Sequence, residues 1–415
     1  MSEIAAAGAA AQDAWLQKPQ RRLGRAGLLA LLVCTSLAMP LSLDMYTPAV
    51  PHMVEHLGTT EGMVNLTLVG YYLFFAVGLL VFGPMSDRIG RRPVLLAGLG
   101  IYAAASVLCA LAPTIEVLIA ARVLQALGAG AADSMTNSVV KDAFREEKRQ
   151  VALSFIQLMF ILGPVVAPVL GAFVVSALSW RATFWVLAAV GVACLGLSLL
   201  FEETLAPEER ASGGANTVGQ FAEVLRDRGF SAFLAVFCLF NLGFMAYVAV
   251  ASYIYVNLFG LSEMGYGMFF AVTALFTTLG PFAWELFSRW MSARRFLELL
   301  VGIGFASGVC MLAFGQAGPV AFCLPMLVFA VCEAASRPLS VNILLSQHEE
   351  GTGASSSVIN FVNTVAGALG MLVVHVPAPN YVVALGATIA GCMGLAIVGW
   401  FLLLRSGIAV KGVTD

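Results

Sequence analysis

Twelve runs of apolar residues, each long enough to cross a bilayer as a helix, set the terms for this chain. A spanning helix needs about 20 consecutive apolar residues. Such runs lie at about 27–50, 63–85, 93–112, 116–139, 150–176, 180–201, 230–257, 264–288, 296–316, 319–342, 353–377 and 380–404. Within a bilayer every backbone polar group must be satisfied by the protein, which leaves helices or closed barrels. A barrel would be written in ~10-residue segments of alternating polarity, and the sequence has none. The pattern predicts an all-α membrane protein of twelve transmembrane helices. Composition agrees, since of 415 residues 60% are hydrophobic and 11% charged, against about 25% charged in a soluble domain. A soluble enzyme, a nucleic-acid binder and a disordered scaffold are excluded.

The longest polar interruption, Glu202 to Gly229, divides the spans six and six. Its Pro207, Ser212, Gly213 and Gly214 mark a flexible linker, with a short surface helix expected over Val218–Arg228. The organisation expected is a tail at 1–26, a six-helix bundle at 27–201, the linker at 202–229, a second bundle at 230–404 and a tail at 405–415. The first apolar run is too long for a signal peptide and is read as an uncleaved span. Lys and Arg fix orientation. Of the 22 basic residues, only Arg181 falls in an outer loop and only Arg122 within a span, with Arg337 counted as inner at a span end. Both termini are therefore expected in the cytoplasm. Segments 137–163 and 340–366 are faintly similar, and Asp87, Arg88, Arg91 and Arg92 after span two have a counterpart in Arg289, Arg294 and Arg295 after span eight. Two pseudo-repeat bundles are typical of transporters that alternate around a midplane site.

The few polar residues at membrane depth carry what chemistry there is. A charge there costs about 3 kcal/mol or more on insertion scales, and marks function by default. Span four holds Arg122, Gln125 and Asp133. Arg122 and Asp133, eleven positions apart, lie about 20° out of line and ~16 Å apart along a helix. Span one carries Asp44-Met45-Tyr46-Thr47-Pro48. Asp44 and Arg122 each lie about six residues from the outer ends of their spans, at similar depth, and can pair. A carboxylate there can exchange a proton for a cationic or polar ligand, because linkage makes their competition reciprocal. A static buried ion pair is the plainer alternative. Glu285/Arg289 and Glu333/Arg337 read as i,i+4 helix support, with Glu333 deep enough to be a pocket acid. Asn241, Tyr247, Tyr253, Tyr255, Asn360 and Asn363 are candidates to line a pocket in the second half or simply to pack helices.

Between spans two and three stands Gly83-Pro84-Met85-Ser86-Asp87-Arg88-Ile89-Gly90-Arg91-Arg92-Pro93. Gly83 is expected to let helices approach closely and Gly90 to permit a tight turn. Asp87 can pair with nearby arginines or cap a helix, contacts that would latch a cytoplasmic gate. Span five has Gly163-Pro164-Val165-Val166-Ala167-Pro168-Val169-Leu170-Gly171, a sequence that kinks a helix and lets neighbours close in. The eight cysteines all fall in apolar segments and read as inert thiols. His52 and His56 lack further ligands, so no metal site is expected. No GxxxxGK[ST] loop is present, which argues against ATP as the direct energy source.

With these residues in place, the chain resembles a twelve-span transporter of the major facilitator superfamily. The Gly83–Pro93 loop resembles its signature gate loop. Arg122-Val123-Leu124-Gln125-Ala126 resembles its Arg-x-x-Gln-Gly pattern, with Ala126 in place of Gly. Gly163-Pro164-x-x-Ala167, followed by Pro168 and Gly171, resembles the antiporter motif of its drug-exporting branch. More narrowly, Asp44 to Pro51 resembles the first span of the bicyclomycin/chloramphenicol-resistance exporters, which usually carry Leu where Thr47 and Val50 stand. The resemblance implies a bacterial inner-membrane antiporter that exchanges protons for small amphipathic compounds and is not an enzyme. Its site would comprise Asp44, Tyr46, Arg122 and Gln125; Asp133 and Glu333 rest on depth alone as proton relays. The gate would comprise Gly83, Asp87, Arg88, Gly90, Arg91 and Arg92. The partners implied are a small molecule, protons and the lipid bilayer, with no nucleic acid, no cofactor beyond the proton gradient, and a monomer as the working unit. A dedicated exporter of a siderophore or other metabolite, a passive facilitator and a non-transporting sensor are the alternatives.

Overall fold

The computed structural model describes residues 15–210, 217–347, 352–375 and 378–413. Among these, twelve helices are long and apolar enough to cross a membrane. They are α1 (Gly24–His56), α2 (Glu61–Ile89), α3 (Arg91–Leu111), α4 (Ile115–Ala143), α5 (Glu146–Ala177) and α6 (Trp180–Leu199) in the first half. The second half holds α7 (Arg228–Leu258), α8 (Glu263–Phe287), α9 (Ala293–Ala317), α10 (Pro319–Gln347), α11 (Ala354–Val373) and α12 (Tyr381–Arg405). The described residues contain no β-strand. A short helix, Thr217–Arg226, occupies the linker, one residue earlier at its start and two at its end than the sequence suggests.

Several helices outrun their apolar cores. The 29 residues of α2 span ~44 Å at 1.5 Å per residue, against ~30 Å of hydrocarbon. Span two, read as ending near Met85, therefore continues through Pro84 to Ile89. Ser86, Asp87 and Arg88 are its last turn rather than a loop.

The chain divides into two compact units, one formed by Met1–Thr59 and Leu66–Ala215, the other by Thr60–Asn65 and Asn216–Asp415. Inside the first, α3 packs on α4 and α6, and α1 packs on α5. Inside the second, α9 packs on α10 and α12, and α7 on α11. The same pattern recurs six helices later, so the faint sequence similarity between the halves reflects a repeated packing scheme. Two glycines mark equivalent crossings: a Cβ on Gly171 of α5 would run into the Met45 carbonyl of α1, and one on Gly370 of α11 into the Leu242 carbonyl of α7.

Polarity within a helix is set for lipid. On α5 the small residues Gly163, Ala167, Gly171 and Ala172 face inward, while Val166, Leu170 and Phe173 are exposed. Apolar tails leave no hydrophobic drive between helices, so close backbone approach through small residues supplies the contact energy. Gly171→Ala should accordingly cost ~1–3 kcal/mol through overpacking. Gly100→Ala, whose Cβ meets no atom within 4 Å, should be neutral or gain up to ~1 kcal/mol of helix propensity. Thermal melting in detergent reads both; equal melting temperatures would contradict this account of the α1–α5 crossing.

Candidate functional site

Polar side chains in the first unit gather where α1 breaks. Regular α-helix ends at Asp44, a 3₁₀ turn covers Thr47–Ala49, and helix resumes over Val50–His56. Pro48 is the cause: it has no N–H for the carbonyl four residues back and its ring clashes with that carbonyl. That carbonyl belongs to Asp44, and the Thr47 hydroxyl donates to it instead at 2.8 Å. Thr47, where the resembling exporters carry Leu, thus satisfies the group that the proline strands. Asp44 itself is buried, and among the described residues neither an ion pair nor a hydrogen bond reaches its carboxylate. The break is held by α5, where Gly163 packs against Pro40 and Gly171 against Met45. The span-five motif is therefore the seat of the segment carrying Asp44, with Pro164 and Pro168 inside a continuous helix.

Arg122 of α4 is wholly buried, at 0% exposure. Its Nη1 donates to the Ser42 carbonyl of α1 at 3.0 Å and to Gln125 Oε1 at 2.7 Å. Gln125 in turn donates to the Ser106 hydroxyl of α3 at 2.8 Å. The guanidinium carbon sits 4.2 Å from the Tyr71 ring centroid, 4.8 Å from Tyr46 and 5.7 Å from Phe184. Tyr46 is fixed by a 2.8 Å hydrogen bond between its hydroxyl and that of Thr67, and Tyr102 by one of 2.8 Å with Ser42. An aromatic face attracts a desolvated cation by up to ~2 kcal/mol, yet an unpaired buried charge remains costly. Arg122 Nε and Nη2 are buried without a partner among the described residues. Two strong donors thus stand idle inside an aromatic nest.

The Asp44–Arg122 pair expected from depth does not form. Helix depth places both residues at similar height, but the break at Pro48 presents the Ser42 carbonyl, not the Asp44 carboxylate, to the guanidinium. Asp133 lies half-buried further along α4, near a hydroxyl cluster in which Thr35 and Thr136 are 3.1 Å apart and Ser36 donates to Thr136 at 3.4 Å.

At the other end of α2, Gly90 has φ +107°, a left-handed conformation that favours glycine, and it makes the tight turn into α3. Arg91, 6% exposed, joins two carboxylates: Nη1 lies 2.6 Å from Asp87 Oδ1 and Nε 2.9 Å from Asp142 Oδ2 of α4. The same Nη1 donates to Ser86 Oγ at 2.6 Å. Arg92 donates to the Leu199 carbonyl at the end of α6 at 2.9 Å, and Arg88 is exposed. Gly83 does not make a close helix approach, because a Cβ there would meet no atom within 4 Å.

In the second unit Glu333 of α10 is 8% exposed and lines a cavity with Ser336, Arg337, Ser340, Asn241 and Asn363. The space open to the centre of a water molecule is about 20 Å³, enough for roughly one water. Ser340 Oγ is buried with no partner among the described residues, while Asn241 donates to the Asn363 carbonyl at 2.6 Å. The expected i,i+4 ion pairs Glu333/Arg337 and Glu285/Arg289 are not formed: Arg337 is exposed while Glu333 is buried, and Arg289 lies past the end of α8 at Phe287. Tyr247 stacks on Phe270 at 5.6 Å and Tyr255 on Phe269 at 4.9 Å. Tyr253–Leu258 widens into a π-helical turn, a feature frequent at functional sites. Asn360 is exposed.

Sequence reasoning missed Tyr71, Tyr102, Ser42, Ser106, Phe184 and Asp142. Asp142 had a signal, since it lies next to the inner end of span four beside an arginine-rich loop. The tyrosines and Phe184 had none beyond being aromatic.

The sequence profile of the Major Facilitator Superfamily matches residues 32–371. The chain is 30% identical over 368 residues to a Pseudomonas aeruginosa protein named "Chloramphenicol resistance protein", covering 85% of each. It is 27% identical over 357 residues to the Bacillus subtilis (strain 168) "Uncharacterized MFS-type transporter YdgK", covering 84% of this chain and 88% of that one. It is 29% identical over 286 residues to "Multidrug resistance protein MdtL" of Escherichia coli (strain SMS-3-5 / SECEC), covering 66% and 72%. Its fold is similar to that of a peptide transporter, POT, crystallised with sulfate, with a TM-score of 0.74 at 16% identity over 94% of this chain and 96% of that one. The twelve helices, the repeated packing and the matched family together make this chain a multi-pass membrane transporter of the major facilitator superfamily, not an enzyme.

Proposed function

We propose that the protein is a proton-coupled antiporter that exports small amphipathic, drug-like compounds across a bacterial inner membrane by alternating access. The observation that carries this is Asp44: a buried carboxylate with no cationic or hydrogen-bonding partner among the described residues, set at a helix break beside an aromatic nest. A ligand that supplies the missing partner would compete with a proton for a carboxyl so placed. Relatives named for chloramphenicol and multidrug resistance support the substrate class.

The cycle follows from these side chains. Open to the cytoplasm, protonated Asp44 loses its proton to water as the compound settles, and the carboxylate left behind accepts the compound's polar or cationic group. Arg122 Nε and Nη2 donate to an acceptor on the compound, and Tyr46 and Tyr71 hold its apolar body, with Gln125 keeping Arg122 oriented. Open to the outside, the compound leaves, Asp44 takes up a proton from water, and the carrier resets. Asp133 relays that proton along α4 towards the cytoplasm, and Glu333 with its cavity water holds a proton in the second unit. The Gly83–Pro93 segment latches the cytoplasmic gate through the Asp87–Arg91–Asp142 ion network. Basic residues concentrated on one side support a topology with both termini in the cytoplasm. The protein works as a monomer and draws on the proton gradient alone.

Asp44→Asn should abolish uphill export from inverted vesicles energised by a proton gradient, with the melting temperature nearly unchanged; export at the normal rate would show that Asp44 is not the coupling group. Arg122→Lys keeps the charge but loses the planar donor fork, and should weaken compound binding roughly tenfold, the loss expected for a hydrogen bond to a charged group. Titration with a fluorescent substrate checks this, and unchanged affinity would remove Arg122 from the binding site.

A further inference from the structure

The first residues of the linker behave as part of the first bundle. The leading N–H groups of a helix have no intrahelical partner, and α3 begins after Gly90, which has no side chain to cap it. The cap comes from Glu203, over a hundred residues later. Its Oε1 accepts from the backbone N–H of Arg91 at 2.9 Å, Thr204 at 2.9 Å and Leu205 at 3.0 Å. Its Oε2 accepts from the N–H of Arg92 at 3.1 Å. One carboxylate thus gathers four amides, at the helix end where negative charge is favoured. Gly90 is required twice over, by its φ and because any Cβ there would collide with the Glu203 carboxylate.

Glu203 is itself tied down by the chain before α1. Gln20, 1% exposed, makes a reciprocal pair with the Glu202 backbone, donating to its carbonyl at 3.0 Å and accepting from its N–H at 2.8 Å. Lys18 donates to the Thr204 carbonyl at 2.7 Å and pairs with Glu209 at 2.6 Å, a contact that holds the Glu209 carboxyl below its usual range. Upstream, the Gln17 N–H donates to the Ala143 carbonyl at 2.8 Å, and the Arg145 N–H to that of Trp15 at 2.9 Å. The Gln17 side chain donates to the Asp142 carbonyl at 2.9 Å. Leu16 is buried, and the Trp15 ring lies under Arg25 and Lys148. The strap Trp15–Gln20 therefore joins the turn carrying Asp142 to the linker carrying Glu203. Those two carboxylates fix Arg91, one by its side chain and the other by its backbone.

We propose that Glu203 is a positioning residue for the cytoplasmic gate: it clamps the start of α3 so that Arg91 stays between Asp87 and Asp142, and the Trp15–Gln20 strap holds Glu203 in register. This rests on the reading of the Gly83–Pro93 segment as the gate. The linker and the N-terminal segment then set how readily the gate latch opens, without touching the compound.

The test uses the full chain in nanodiscs and in proteoliposomes. Glu203→Gln keeps the shape but leaves one acceptor oxygen, and its NH₂ faces an amide donor. Hydrogen exchange of the Arg91 and Arg92 amides should quicken roughly tenfold, as expected for losing bonds to a charged group. The maximal export rate should change severalfold while compound affinity stays as in the wild type. Gln20→Ala, which releases the strap and leaves Glu203 intact, should shift both readouts the same way by less; it carries the test if Glu203→Gln does not fold. Unchanged exchange overturns the proposal. Quickened exchange with wild-type export, while Asp87→Asn is impaired, also overturns it by reducing Glu203 to a structural cap. If Asp87→Asn exports at the wild-type rate as well, the gate reading itself falls, and the proposal with it.

Discussion

The break in α1 at Pro48 is the constraint around which the first bundle is arranged. A proline inside a membrane helix strands a carbonyl where no water can satisfy it. Here Thr47 takes up the Asp44 carbonyl, and the Ser42 carbonyl serves as acceptor for Arg122. At the same break Asp44 makes no pair with Arg122, and α5 closes in through Gly163 and Gly171. Backbone satisfaction, helix packing and the isolation of a carboxylate thus have one cause. On the proposed cycle, isolation is what would make the carboxylate useful, since a salt-bridged Asp44 would hold its charge throughout and have no reason to exchange a proton.

Charge is handled in opposite ways at the two ends of this bundle. In the nest, Arg122 is solvated by rings, one carbonyl and one amide, and retains idle donors. Where α2 passes into α3, Arg91 is paired with Asp87, Asp142 and Ser86. An unsaturated buried cation invites a ligand, because each unmet donor carries a desolvation cost that a guest can remove. A charge-paired network has two discrete arrangements, made and broken, and suits a latch. On the proposed function, residues of one type would serve recognition in one place and gating in the other according to how they are partnered.

Much of this was legible in the sequence. Apolar run length yields the twelve helices, because backbone satisfaction in lipid leaves so few alternatives, and the charge-bearing loop after span two announces its own turn at Gly90. Depth arithmetic places Asp44 and Arg122 at one level but cannot fix the rotation of a side chain near a proline break, so the expected pairing gives way to the Ser42 contact. Gly83 misled because a glycine in a helix signals close approach only when a neighbour is there. The strap was invisible: Trp15, Leu16 and Gln20 sit in a polar, Ala-rich stretch with no periodicity, and their partners are backbone groups over a hundred residues away. Glu203 likewise reads as one linker acid among several until the start of α3 is seen beneath it.

The central claim is that a compound and a proton compete for Asp44. The most direct measurement is proton release from purified protein in weakly buffered detergent as a panel of amphipathic drugs and secreted metabolites is added. The account predicts release with the compounds that bind, and none from Asp44→Asn protein that still binds them. Equal release from the variant, or binding without release in the wild type, would contradict it.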